Sequence, residues 1–130
     1  MAKPIARKQG VCMAFPDVCL TPAGNSQVPI PYPNIAQLSS AEGASADVLA
    51  GGIEVILADS EIASSSGGEA GSGGGVTSGT QNDKCTFTSF SSTVKANGKG
   101  IVRQLDQTSQ NNGNAQGFVM AGLPTVLVGD

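Results

Sequence analysis

The sequence predicts a small, mostly β domain built of short hairpins, and three observations carry that reading. Glycine accounts for 18 of the 130 residues, charged residues for 13% and aromatics for 4%, with no Trp and one Tyr. Glycine in a helix interior costs about 1 kcal/mol relative to Ala, so this composition suits short strands and tight turns. Two segments carry two-residue turn signals of the hairpin type. Gly51-Gly52 lies between Val48-Leu49-Ala50 and Ile53–Leu57, and Asn97-Gly98 lies between Val94-Lys95-Ala96 and Lys99–Arg103. Finally, five of the seven prolines fall between Pro16 and Pro33, where Pro29, Pro31 and Pro33 alternate with Val28, Ile30 and Tyr32. Each ring fixes its own φ at about −65° and pushes the preceding residue into extended geometry. A strand lacking three N–H groups belongs at a sheet edge or on a surface ridge.

Taken in order, residues 1–10 are a polar lead-in, and Val11–Val18 is a short strand broken by Pro16. Pro22–Ser26 has the composition of a turn and feeds into the proline rod. Ser39–Asp47 is the one helical candidate, of at most two turns, with Ser39 or Ser40 as N-cap and Gly43 keeping it short. The hairpins at 48–57 and 94–103 correspond: Val48 with Val94, Ala50 with Ala96, Val55-Ile56 with Ile101-Val102, each unit followed by an acid, Asp59 or Asp106. Val126–Asp130 reads as the opening of another such unit, which suggests internal repetition. Ser64–Gly79 has the composition of a flexible linker. Cys85–Phe90 alternates as a strand, with Cys85 and Phe87 on one face. Asn111–Asn114 is a turn cluster, and Phe118–Met120 and Thr125–Val128 are the last strands. A chain of this length reads as a single domain, 1–130.

Phe15-Pro16-Asp17-Val18-Cys19, followed by Pro29-Ile30-Pro31-Tyr32-Pro33-Asn34-Ile35-Ala36, resembles the PAAR-like proteins associated with type VI secretion. These are relatives of the proline-alanine-alanine-arginine repeat tips. The resemblance continues through Phe87–Ser92 and Val102-Arg103-Gln104-Leu105-Asp106, covering about residues 10–112. It implies a small conical domain with pseudo-threefold character, in which the Gly-rich string belongs to the fold. The implied function is mechanical: to cap the trimeric valine-glycine repeat (VgrG-type) spike of a contractile apparatus, touch the target membrane transiently and aid effector delivery. A second reading makes this the N-terminal loading module of a toxic effector, with the toxin domain in the same chain or a separate one. A Gly/Ser-rich adhesin fragment fits the two long strings poorly.

Other classes find little support. The formal net charge of −3 argues against nucleic acid as a partner. His is absent, which removes the commonest general base and every Cys–His or Ser–His pair. The Gly-rich run lacks the Lys-Ser/Thr of a P-loop and the strand-to-helix context of a dinucleotide loop. The chain is expected not to be an enzyme. No apolar region follows Lys3, Arg7 and Lys8, so no signal peptide is expected, and no apolar run approaches the ~20 residues of a membrane span. The protein is expected to be made in the cytoplasm and exported at the spike tip into the target cell or medium.

Three cysteines do not close a disulfide framework. The resemblance implies a structural zinc near the point, held by His and Cys, and Cys19 sits where PAAR-like members have their cysteine. Where relatives often read His-Leu-Asp and Thr-His-Asn, this chain has Gln104-Leu105-Asp106 and Ser109-Gln110-Asn111, and amides are poor zinc ligands. The remaining zinc option gathers Cys12, Cys19 and Cys85, with water, Asp17 or Asp106 as fourth ligand, and requires three sulfurs converging at about 2.3 Å. The alternative buries Cys12 and Cys85 as core residues and closes the tip by apolar packing.

Overall fold

The computed structural model describes residues 2–130. Fourteen strands run in the order β1 (Lys3–Ile5), β2 (Val11–Ala23), β3 (Ser26–Gln37), β4 (Ala41–Glu42), β5 (Leu49–Ala50), β6 (Ile53–Glu54) and β7 (Glu61–Ile62), then β8 (Gly74–Gly75), β9 (Cys85–Phe87), β10 (Lys95–Ala96), β11 (Lys99–Gly100), β12 (Gln107–Gln110), β13 (Ala115–Val119) and β14 (Leu123–Val128). Eight of them form one antiparallel sheet in the order β3-β2-β13-β12-β9-β7-β4, with β8 added beside β2. Three two-stranded ribbons complete the fold: β5-β6, β10-β11 and β1-β14.

The proline rod is β3, the terminal strand of the sheet, as its missing donors require. Pro29 stands opposite Leu20 and Pro31 opposite Val18. An antiparallel strand with one neighbour uses only alternate residues as donors, so Val28, Ile30 and Tyr32 suffice. Pro16 does not end the preceding strand. β2 continues past it to Ala23, with a register shift between Ala14 and Asp17 and a cis Phe15–Pro16 bond.

The helix expected at Ser39–Asp47 is not formed. A single 3₁₀ turn spans Leu38–Ser40, and Ala41–Glu42 then pairs as β4 with Glu61–Ile62. Gly43 at φ +78° turns the chain away, and the Ser45 hydroxyl accepts from Asp47 N and Val48 N. Strand pairing and a serine-capped turn satisfy the backbone that a helix would otherwise have to satisfy.

Both sequence-predicted hairpins form, with left-handed central residues: Gly51 (+58°) and Gly52 (+81°), Asn97 (+53°) and Gly98 (+78°). The third ribbon, made from the two ends of the chain, matches these over two residue pairs before its register shifts and Ile5 opposes Leu123. Leu49 opposes Glu54, Lys95 opposes Gly100 and Leu127 opposes Pro4. The three segments that follow these ribbons bond to one another in a closed ring. Ala6 N donates to Val102 O (3.0 Å), Val102 N to Ile56 O (3.0 Å) and Ile56 N to Ala6 O (3.1 Å). A second cycle surrounds it: Lys8 N to Glu54 O (3.0 Å), Ala58 N to Gly100 O (2.9 Å) and Gln104 N to Pro4 O (2.8 Å).

Side chains alternate along extended backbone, so the ring separates two cores. Ala6, Ile56 and Val102 face one, with Leu38, Ile62, Phe87 and Val119. Ile5, Val55, Leu57 and Ile101 face the other, with Ala50, Ala96 and Val128. The ring also corrects the pairing of acids. Ser60, not Asp59, is the counterpart of Asp106: Leu57 N donates to Ser60 Oγ (2.9 Å) as Arg103 N donates to Asp106 Oδ2 (2.8 Å). Asp59 is instead exposed and pairs with Lys99 at 2.8 Å.

The glycine-rich stretch is packed structure. Gly73 N donates to Leu20 O (2.8 Å) and Val76 N to Val18 O (3.0 Å), bracketing β8. A Cβ on Gly71 would lie 2.5 Å from Cys19 Cβ, and one on Gly73 would lie 2.8 Å from Leu20 Cβ. Glycine is there because the backbone comes that close. Among the described residues, no helix is long and apolar enough to cross a membrane.

Candidate functional site

The three cysteines are all buried and free, but they lie in two environments. Cys12 on β2 and Cys85 on β9 belong to the core that contains Ile56 and Val102. Hydrogen bonding with Cys85, reinforced by burial, pushes the Cys12 thiol far above its ordinary range. Cys19 lies outside that core, where burial pushes its thiol up to about 11 and the neighbouring Asp17 carboxylate adds to the shift. Among the described residues, no group of three or more Cys, Asp or Glu side chains is placed to hold a metal ion.

Around Cys19 the side chains are mostly amides. Asp17, fully buried, accepts from Asn111 Nδ2 (3.1 and 3.3 Å), from Asn114 Nδ2 (2.6 Å) and from Asn34 Nδ2 (3.3 Å). Asn111 Nδ2 also approaches Cys19 Sγ at 3.9 Å. Gln110 donates to Asn34 O (3.0 Å) and Asn34 Oδ1 (2.9 Å), while Thr108 donates to Gln110 Oε1 (2.7 Å). Every described buried side-chain nitrogen and oxygen has a partner. Zinc needs converging lone pairs on thiolate, imidazole or carboxylate. Here the lone pairs of Asp17 already accept N–H groups, so this set does not fit zinc.

Asp106 occupies a different setting. It bonds to Arg103, Lys3 and Ser89, whereas Cys19 is beside Asp17 and Asn111, so the two belong to different networks. Nothing in the sequence marks the Asn34, Asn111 and Asn114 amides as a cluster. The one available signal was the turn composition of 111–114, since Asn111 and Asn112 take φ values of +48° and +53°.

A second region is defined by the ring and the three ribbons. Val48 (36% exposed), Val94 (37%) and Val126 (38%) sit one residue before the matched positions Leu49, Lys95 and Leu127. Arg7 Nη1 donates to Ala50 O (3.0 Å) and Arg103 Nη1 to Gly129 O (2.9 Å), so two of the ring segments brace a neighbouring ribbon with an arginine.

Fold and site together define a small all-β module of antiparallel strands, with one long hairpin, three short ribbons and an amide-rich polar interior. The chain belongs to the toxin PAAR-like domain family, whose model matches residues 10–117. It is 35% identical over 111 residues to the DNase toxin Tse7 of Pseudomonas aeruginosa, a match covering 80% of this chain and 29% of that protein. The chain therefore spans less than a third of that relative's length. No solved structure matches it significantly.

Proposed function

We propose that this domain seats on the end of a trimeric VgrG-type spike in a type VI secretion apparatus, as tip or loading module. The observation that carries the reading is the closed cycle of backbone hydrogen bonds among residues 4–8, 54–58 and 100–104. A single chain that meets a trimer must offer three comparable faces, and a heterologous contact that closes after three steps requires equal rotations. The three ribbons, with Val48, Val94 and Val126 at matched positions and nearly equal exposure, supply such faces. In this reading the ring marks a pseudo-threefold axis and the long hairpin β2–β3 lies toward the outer, membrane-meeting part.

The similarity to a DNase toxin, over only 29% of its length, favours the loading-module version. The domain itself is non-enzymatic, and any toxic activity resides in another domain or chain that travels with it. A domain attached after Asp130 would leave from the third ribbon, at the place occupied by tight turns in the other two. Nucleic acid is not a partner of this domain, contact with the target membrane is transient, and export follows the spike.

Sedimentation of the domain with its cognate spike tests this, with one copy per trimer expected. The triple variant Val48→Asp, Val94→Asp, Val126→Asp, shown folded by its circular dichroism, should lose the complex. Three copies per trimer, or no complex with the cognate spike, would overturn the reading.

A further inference from the structure

We propose that the end of the domain around Cys19 is held shut by a metal-free clasp centred on the Asp17 carboxylate, which takes the cross-linking role that zinc has in the tips this chain resembles. Asp17 lies just after the register shift in β2. Its four amide contacts come from three residues in two segments: Asn34 on β3, and Asn111 and Asn114 in the β12–β13 turn. Among the described residues it has no cationic partner. A buried carboxylate without a counter-charge is stable only when hydrogen bonds replace its hydration, and here three side-chain amides do so.

The clasp reaches further than its centre. Asn111 Nδ2 donates to Thr80 O (3.0 Å), and Asn111 Oδ1 accepts from Asp83 N (2.9 Å) and Thr80 Oγ1 (3.1 Å). Asn114 Nδ2 donates to Val18 O (3.0 Å), and its Oδ1 accepts from Thr77 N (2.8 Å) and Ser78 N (3.1 Å). Asn34 Nδ2 donates to Ser65 Oγ (2.8 Å), which donates to Asp83 O (2.7 Å). The glycine-rich segment is therefore tied at both ends to the long hairpin through one buried anion. The amides cross-link these strands through directional hydrogen bonds, which are strong when the acceptor is ionised.

Gln110 and Asn111, adjacent in sequence, both serve the clasp. Gln110 fixes Asn34 by donating to both of its oxygens, so that Asn34 turns its Nδ2 toward Asp17.

The test pairs metal analysis with melting of full-length protein purified without chelator. Less than a tenth of a zinc per chain is expected, with no shift in melting temperature on adding EDTA or Zn²⁺. Asn114→Ala and Asn111→Ala should each lower the melting temperature by roughly 5–10 °C, and Asp17→Ala by more. Should Asp17→Ala fail to fold, Asp17→Asn in combination with Asn114→Asp restores a donor–acceptor pair and should recover part of the loss. About one zinc per chain, with a fall in melting temperature on chelation that Cys19→Ser abolishes, would overturn the proposal. So would an Asn114→Ala variant that melts with the parent protein.

Discussion

Arg103 and Asp106, three residues apart, lock to each other through three hydrogen bonds: Arg103 N and Nε to Oδ2, both 2.8 Å, and Nη2 to Oδ1 at 2.9 Å. Lys3 Nζ (3.1 Å) and Ser89 Oγ (3.0 Å) complete the shell of the carboxylate. Arg103 also reaches Gly129 O at 2.9 Å. One side-chain pair thus ties together the two ends of the chain and the strand region near Ser89.

Burial works to raise the Asp106 pKa, but the hydrogen bonds from Arg103, and then those from Lys3 and Ser89, outweigh it and hold the carboxyl below the usual carboxylate range. The unfolded value is about 3.9. A carboxyl depressed in the folded state contributes stability that is complete above the unfolded value and lost as pH falls through the folded one. Melting of the parent protein should therefore drop on acidification below about pH 4, while Asp106→Asn should be less stable at neutral pH and flatter through the acid limb. Asp106→Ala should cost about 3–5 kcal/mol at neutral pH, because Arg103 is left buried without its partner. Parallel acid limbs for parent and Asp106→Asn would show that the pair carries no pH dependence.

Glycine substitutions distinguish packed backbone from linker. Gly71→Ala puts a Cβ 2.5 Å from Cys19 Cβ and 3.1 Å from Tyr32 Cε2, so a cost of about 1–3 kcal/mol is expected. Gly129→Ala meets nothing within 4 Å and should be near neutral. Urea denaturation of the two variants is the measurement, and equal stabilities would mean that the loop yields.

The three alternating prolines of β3 act through the unfolded state and at the sheet edge. Replacing Pro29, Pro31 and Pro33 together with Ala should lower stability by about 1–3 kcal/mol, the sum of entropy effects of about 0.4–1 kcal/mol each. It also restores three N–H groups on the terminal strand, and an edge with free donors recruits other strands. Light scattering during thermal melting should rise in the triple variant, whereas unchanged melting and scattering would mean that the prolines contribute to neither.

The thiols should be silent in the folded protein. Cys12, Cys19 and Cys85 are each 0% exposed, and the Cys19 pKa, raised to about 11 by burial and then by Asp17, keeps it protonated at pH 8. Aromatic disulfide reagents should modify fewer than one of the three thiols until denaturant is added. Because a raised thiol pKa favours the folded state below the unfolded value and that contribution fades as pH climbs toward 11, stability should decline in alkali. Prompt reaction of one thiol at pH 8 would place Cys19 at the surface.

Local chemistry made much of this protein legible in its sequence. Gly51-Gly52 and Asn97-Gly98 specify left-handed turns within four residues, Pro29, Pro31 and Pro33 exclude a central strand by themselves, and Cys85-Thr86-Phe87 shows its buried face by alternation. The strings around Asp17 and Pro29 were enough to place the chain beside its family. The tertiary structure decided what depends on distant partners. Ser39–Asp47 lost its helix to pairing with Glu61–Ile62, and the linker-like glycines became the backbone that lies against Cys19. Leu127-Val128 found its partner in Lys3-Pro4 at the other end of the chain. The Asp17 clasp spans 94 residues to Asn111. Turn dihedrals and missing donors act within a few residues and so leave a local mark, whereas a hydrogen bond between residues far apart leaves no periodicity to read and exists only once the strands that carry its two ends have been brought together.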